Sequence, residues 1–449
     1  MRFPILITIL GVSASLAAAQ NVSEPVPIRS IDPTNDAWDD LAPVAAAIGD
    51  ARVVVIGECS HGDGAAQAAR PRLFRFLRER HGFSVLVLEA GAFDANAVDR
   101  AMEEGRDLAD TTRLGLPNYW RASGQFTPLL DDVWSSYFED IPVRVAGIAP
   151  EFTSADAATR FGRDLTAFFA APGVTVDRAD LRRFDAAATS LDTASKRADA
   201  QAIIDASIDL AEALDAIEDN RDALELAHGE LEVDRWRLLI EDRLWAADEA
   251  ASNGEMNTLA DCNPRARRMA DRLVWLAEEA FPDRKLVVAC ATWHALANPD
   301  ALTCETNPEL IAAAINPGAT WREALGDDLR VIAITPASGA VGWPGAPPVN
   351  LAPLPPDALE SATTDETTPF AFIDLRKLAD NTPLATMPSR LAGLDIAFPN
   401  PDPALLQADW RDQLDAVLVI NQTFPATHGA APDDATLTSE PETAGEDEP

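Results

Sequence analysis

The run Arg52-Val53-Val54-Val55-Ile56-Gly57-Glu58-Cys59-Ser60-His61-Gly62 decides the fold. Its β-branched residues suit a pleated surface packed on both faces, and Gly57 ends them, so Arg52 to Gly57 reads as a strand buried in a parallel sheet. The stretch from about Ala65 to Arg80 is helical in pattern, with Leu73, Phe74 and Leu77 on one side and Gly82 as its cap. Ser84-Val85-Leu86-Val87-Leu88-Glu89 is a second buried strand. Strand, helix and strand within about forty residues form a βαβ unit, expected to be right-handed.

The alternation extends outward from this unit. Helical patterns cover Ala95 to Glu104 and Thr127 to Phe138, and Val143 to Ile148 is a third strand. From about Ser154 to Leu259 the chain is rich in Ala, Leu, Asp, Glu and Arg, with long helical periods over Ala200 to Asn220 and Leu231 to Ala251. Gly173-Val174-Thr175-Val176 is a strand-like interruption there. The segment reads as an inserted helical subdomain. A helix over Met269 to Glu279 then leads to strands at Leu286–Cys290, Arg330–Ile334, Phe370–Asp374 and Ala416–Ile420. The fold class is therefore α/β, with a mainly parallel central sheet flanked by helices and an inserted helical subdomain.

Arg2, the apolar run Pro4 to Ala14 and the small residues Ala17-Ala18-Ala19 make an expected signal peptide over residues 1–19. A leader over 20–50 follows, then the α/β domain over 51–425 with its insert at about 154–260, and an acidic tail over 426–449 expected to be disordered. The expected location is the periplasm or the exterior. The chain has 449 residues, of which 36 are basic and 73 acidic, for a formal charge of −37. That balance argues against nucleic acid and anionic membrane surfaces as partners. No later stretch approaches the ~18 apolar residues of a membrane span.

None of the four cysteines, Cys59, Cys262, Cys290 and Cys304, is spaced for a zinc knuckle or a redox pair, and their disulfide pairing stays open. Sites in open α/β sheets form at the carboxyl ends of strands. The first strand ends in Glu58 and His61, the second in Glu89, and Leu286–Cys290 in Ala291-Thr292-Trp293-His294. Two of the five histidines thus follow strand ends, while His81 ends a helix, His228 lies in the insert and His428 in the tail. An imidazole base, a carboxylate fixing its tautomer and a nearby arginine are the equipment for activating water. Ser60 sits in no Gly-x-Ser-x-Gly elbow, so it is not expected to be a nucleophile.

Gly57-Glu58-x-x-His61-Gly62, Arg70, Leu73 to Leu77, Gly82-Phe83 and Leu88-Glu89-Ala90-Gly91 resemble the opening of the erythromycin esterase family, with nine positions from His61 to Arg70 and twenty-eight from His61 to Glu89. Trp120-Arg121, Val143 to Ile148, Arg265 with Met269-Ala270 and Trp275, Lys285 to Val288, Phe372 to Arg376 and Asp415 to Ala426 resemble later family segments in order. The resemblance implies an α/β hydrolase of a small-molecule ester or lactone, macrolides and macrolide resistance included, with no metal and no cofactor. It makes His61 the base on water, Glu58 and Glu89 the groups that orient and polarise it, Arg70 a stabiliser of the carboxylates or the oxyanion, and His294 the residue across the site.

The chain departs from the family pattern at four points. Ala291 stands where the first histidine of a His-x-x-His pair is usual, Ser60 stands for Thr, and Ala266 for an Asp beside Arg265. An acidic residue at the end of the third strand is absent, since Ile148 leads into Ala149-Pro150. Two alternatives accompany the metal-free hydrolase: a catalytically weak or inactive small-molecule-binding protein, and a metal-dependent hydrolase using Glu58, His61, Glu89 and His294.

Overall fold

The structure, a computed structural model, describes residues 24–251, 258–397 and 405–428. The expected signal peptide and the tail from 429 lie outside the described residues.

The strands are β1 (Val26–Pro27), β2 (Val53–Glu58), β3 (Phe83–Gly91), β4 (Arg144–Ala149), β5 (Lys285–Ala291), β6 (Thr303–Cys304), β7 (Leu329–Val341), β8 (Val349–Asn350), β9 (Phe370–Asp374), β10 (Leu406–Gln407) and β11 (Ala416–Thr423). Among the described residues, nine of them form one sheet in the order β1-β9-β11-β7-β2-β5-β3-β4, with β8 paired to β7. The six strands from β11 to β4 in that order run parallel, and β9, β1 and β8 pair antiparallel. β6 and β10 form a separate ribbon. The architecture is the expected α/β one. One difference matters for the site: β2 and β3 are not neighbours, because β5 lies between them. The carboxyl ends of β2, β5 and β3 therefore converge.

The helices up to the end of β5 are α1 (Ala42–Ile48), α2 (Gly64–His81), α3 (Ala92–Glu103), α4 (Leu108–Arg113), α5 (Asn118–Arg121), α6 (Thr127–Ser136), α7 (Ala157–Phe169), α8 (Arg178–Arg197), α9 (Ala200–Asp219), α10 (Arg221–His228), α11 (Glu230–Ala251) and α12 (Asn263–Trp275), with the short α13 (Thr292–Ala295) just beyond it. Strand alternation divides the sheet's side chains between two cores. Val53, Val55, Val85, Val87, Leu286 and Val288 enter one, under α12 and Trp321. Val54, Ile56, Leu86, Leu88 and Val287 enter the other, under α1, α2, α3 and α6. Both faces are covered, which is why these strands read as unbroken apolar runs.

The insert helices α7 to α11 pack on a third core built from Phe161, Leu165, Phe184, Leu210, Trp236 and Leu239, joined by Phe93 of α3. Asp242 of α11 ties it to α12 through Arg268 at 3.0 Å and Arg272 at 2.6 Å. The expected strand at Gly173–Val176 does not form. The Thr175 amide donates instead to Asn220 Oδ1 at 2.8 Å, so a side chain satisfies the backbone where a ladder partner was expected. Beyond β11 the chain stays packed through His428: the Ala426 amide donates to the Gly62 carbonyl at 3.1 Å, and Gln125 Nε2 donates to Thr427 Oγ1 at 2.8 Å.

Candidate active site

Two charge clusters meet at the carboxyl ends of β2, β5 and β3. The first is built by the turn between β2 and α2. Gly57 lets the strand end close on α13, since a Cβ there would lie 2.6 Å from Thr292 Oγ1 and 2.9 Å from its Cα. Glu58 follows, fully buried. Asp63 caps α2, its Oδ1 accepting the Ala66 amide at 2.9 Å. Gln67 of α2 donates to the His61 carbonyl. The His61 backbone is thereby held from the helix while its ring turns back to the strand end.

His61 Nδ1 lies 2.6 Å from Glu58 Oε1. Glu58 accepts, so Nδ1 carries the proton and Nε2 is the basic nitrogen. The ring stacks on Tyr119, with centroids 4.5 Å apart and planes 5° from parallel, and meets Trp120 edge-on at 5.7 Å. Burial opposes charge on His61, but the hydrogen bond and charge of Glu58, with Glu89 adding, outweigh it and hold the imidazole above its ordinary pKa.

Arg70 stands behind this pair. It is 1% exposed and donates to Glu58 Oε2 at 2.5 Å, to the Ile56 carbonyl at 2.8 Å and to the Cys290 carbonyl at 2.7 Å. Of the two roles expected for Arg70, the geometry supports stabilising a carboxylate. The oxyanion role has no support, because the guanidinium does not reach the cavity that His61 lines.

The second cluster centres on Glu89 at the end of β3. Its Oε1 lies 2.9 Å from His294 Nε2 and 3.3 Å from Arg265 Nη2, and its Oε2 accepts the Ala291 amide at 2.8 Å. Burial raises the Glu89 pKa, but His294, His61 and Arg265 together hold it well below the usual carboxylate value. Arg265, on α12, also binds Glu151 at 2.6 Å. No acid ends β4, which runs on to Ala149, as the sequence indicated, but Glu151 stands two residues beyond it and reaches the site.

The five expected residues thus fall into two sets, Glu58–His61–Arg70 and Glu89–His294, at the carboxyl end of the sheet. A cavity of about 480 Å³ opens over them, with His61, Glu89, Arg265, His294, Ser60 and Tyr119 among its lining residues. Leu259, Trp293, Ile315, Trp343, Leu394 and Ile396 supply apolar walls. Ser60 Oγ accepts the Gly62 amide at 3.1 Å and, among the described residues, bonds to no histidine. No disulfide joins Cys59, Cys262, Cys290 and Cys304, and Cys59, Cys290 and Cys304 are buried.

A metal ion at this site would take its ligands from Glu58, His61, Glu89 and His294. Among the described residues no group of three or more His, Cys, Asp or Glu is arranged to hold one ion. The donors are already committed, Glu58 to His61 and Arg70, and Glu89 to His294, Arg265 and an amide. Glu151 and Tyr119 also belong to the site, although no sequence motif marks them. Glu151 carries a weak signal, an acid just past a strand; Tyr119 carries only its place beside Trp120.

The erythromycin esterase family matches residues 78–423 of the chain. The Bacillus subtilis protein YbfO is 31% identical over 105 residues, 22% of this chain and 24% of that protein, so the match spans about a quarter of the relative's length. Among solved structures, a structural-genomics protein from Bacillus cereus superposes with a TM-score of 0.73 at 18% identity, covering 90% of this chain and 97% of the other. A mutant of the erythromycin esterase EreC in its open conformation superposes with a TM-score of 0.68 at 16% identity, covering 90% and 98%. At such identities these two structures carry the fold alone.

Proposed function

The chain belongs to the erythromycin esterase family, a membership that points to a hydrolase, and on that premise we propose that it cleaves a carboxylic ester or lactone with water activated by His61. One observation carries the reading: His61 Nδ1 is fixed on buried Glu58 at 2.6 Å, while the ring lines the cavity. Glu58 sets the tautomer and stabilises the imidazolium that forms, as an acid–base pair requires.

In the reaction, His61 Nε2 takes a proton from water as the oxygen adds to the acyl carbon. The tetrahedral intermediate collapses and the C–O bond to the alcohol breaks. The proton on His61 passes to the departing alkoxide, giving acid and alcohol. Glu89, held ionised by Arg265 and His294, adds to the field that favours the transient imidazolium. The apolar walls suit a largely hydrophobic substrate, and macrolides are one candidate class. The N-terminal pattern of Arg2, the apolar run Pro4 to Ala14 and Ala17-Ala18-Ala19 supports an exported protein, in the periplasm or outside the cell.

A second reading, a weak or inactive binding protein, is favoured by Ala291, which offers Glu89 a backbone amide but no imidazole. Turnover of erythromycin, p-nitrophenyl butyrate and small lactones by the wild type and His61→Ala, with and without chelator, separates the readings. Turnover abolished by the substitution and indifferent to chelator supports the hydrolase. Absence of turnover together with tight small-molecule binding supports the second reading, and inhibition by chelator would reinstate a metal.

A further inference from the structure

We propose that Tyr119 is a catalytic residue whose hydroxyl donates a hydrogen bond to the oxyanion formed when water attacks the substrate carbonyl, a role that rests on the hydrolase reading above. The first observation is position. Tyr119 lines the same cavity as His61, Glu89 and His294, and its ring lies parallel to that of His61 at 4.5 Å. Trp120 holds Tyr119 edge-on at 5.2 Å and itself stacks on Phe126 at 5.4 Å. The phenol is therefore carried on a packed aromatic column rather than a loose loop.

The second observation is that the site's cations are already committed. Arg70 is spent on Glu58 and two strand carbonyls. Arg265 is spent on Glu151 and Glu89. The Ala291 amide is taken by Glu89. A tetrahedral intermediate placed beside His61 still needs a donor for its negative oxygen. Among the described residues, the Tyr119 hydroxyl makes no hydrogen bond to the protein.

The third observation is protonation. Burial, together with the charges of Glu89 and Glu58, pushes the Tyr119 phenol well above its ordinary pKa. It is therefore a neutral donor at neutral pH. The same carboxylates that raise the basicity of His61 thus keep Tyr119 protonated. No proton leaves Tyr119 in the step: the hydrogen bond tightens as the carbonyl oxygen gains charge and relaxes as the carbonyl re-forms. Ser60 is the competing hydroxyl in the cavity; its Oγ accepts the Gly62 amide at 3.1 Å and keeps its own proton, but of the two hydroxyl residues only Tyr119 stacks on the base His61.

Tyr119→Phe keeps the stack on His61 and removes only the donor, so it tests the assignment directly. With p-nitrophenyl butyrate as the probe, kcat should fall about 100-fold or more, the usual effect of deleting one oxyanion donor. KM should stay near the wild-type value and the thermal midpoint should not move. A butylphosphonate monoester, whose tetrahedral anion imitates the intermediate, should bind at least tenfold more weakly to Tyr119→Phe, while butyrate binds both proteins alike. Wild-type kcat in Tyr119→Phe, alongside loss of activity in His61→Ala, overturns the Tyr119 role and leaves the hydrolase standing. Loss of kcat in Tyr119→Phe with unchanged phosphonate binding also overturns it, because a merely structural role would act that way. If the wild type turns over no ester or lactone, the hydrolase reading itself fails and the Tyr119 role fails with it.

Discussion

Replacing Arg70 by Met separates two roles that its place on α2 left open. The guanidinium is buried and serves three acceptors, Glu58 Oε2 at 2.5 Å and the carbonyls of Ile56 and Cys290 at 2.8 and 2.7 Å. Met fills much of the same space and donates nothing. Glu58 would remain a buried carboxylate facing only His61, and two strand carbonyls would lose a donor. Breaking one side of a buried ion pair costs about 3–5 kcal/mol. Each carbonyl left bare adds on the order of 1 kcal/mol. These terms overlap, so a loss of about 4–6 kcal/mol is expected. Glu58→Gln in the same chain removes the stranded charge, so the double variant should be more stable than the sum of the singles by about 2–3 kcal/mol. Urea midpoints for the four proteins at pH 7, with kcat on p-nitrophenyl butyrate, make the assay. An Arg70→Met protein that unfolds at the wild-type midpoint yet loses kcat would refute the reasoning, because the arginine would then be acting on the reacting oxygen rather than on Glu58.

Activity should rise with pH through the His61 pKa, with a midpoint above 6.5, because the base works only when neutral and Glu58 and Glu89 favour its charged form. Glu58→Gln should move that limb to lower pH, and a pH–kcat/KM profile that does not shift would remove Glu58 from the role. Glu89 is depressed well below 4.5, so it adds stability above pH 4.5 that is lost as pH falls through its folded value. Glu89→Gln should therefore flatten the acid limb of the stability curve, and an acid-unfolding curve as steep as the wild type's would contradict this. Gly57→Ala should cost about 1–3 kcal/mol by overpacking. It should also lower kcat/KM, because the added methyl meets Thr292 at the start of the turn that carries His294; unchanged kcinetics at an unchanged melting temperature would show that the strand end has room.

Much of the fold was legible because its signals are local. Val53 to Ile56 and Val85 to Leu88 advertise strands buried on both faces, and Leu73, Phe74 and Leu77 mark the helix between them. Half of the site was legible for the same reason. Glu58 and His61 sit three positions apart in one turn, and Arg70 lies on the helix that this turn begins, so chain connectivity alone keeps all three together. Short segments leave few alternatives, and the distance along the chain bounds the distance in space.

The other half of the site follows from the order of the sheet. β5 enters between β2 and β3 although the insert and α12 separate it from them in sequence. That placement brings His294 to Glu89, gives Glu89 the Ala291 amide, and lets Arg265 bridge Glu89 and Glu151. Nothing in the spacing of these residues encodes those contacts. Tyr119 reaches His61 by aromatic packing from α5, and Arg70 is turned away from the cavity by two strand carbonyls. The sequence by itself determined the strand runs, the helical insert and the Glu58–His61–Arg70 constellation, because each depends on neighbours along the chain. The tertiary structure alone decided the Glu89–His294–Arg265–Glu151 network, the place of Tyr119 and the direction of Arg70, because each depends on which distant surfaces the buried sheet brings together.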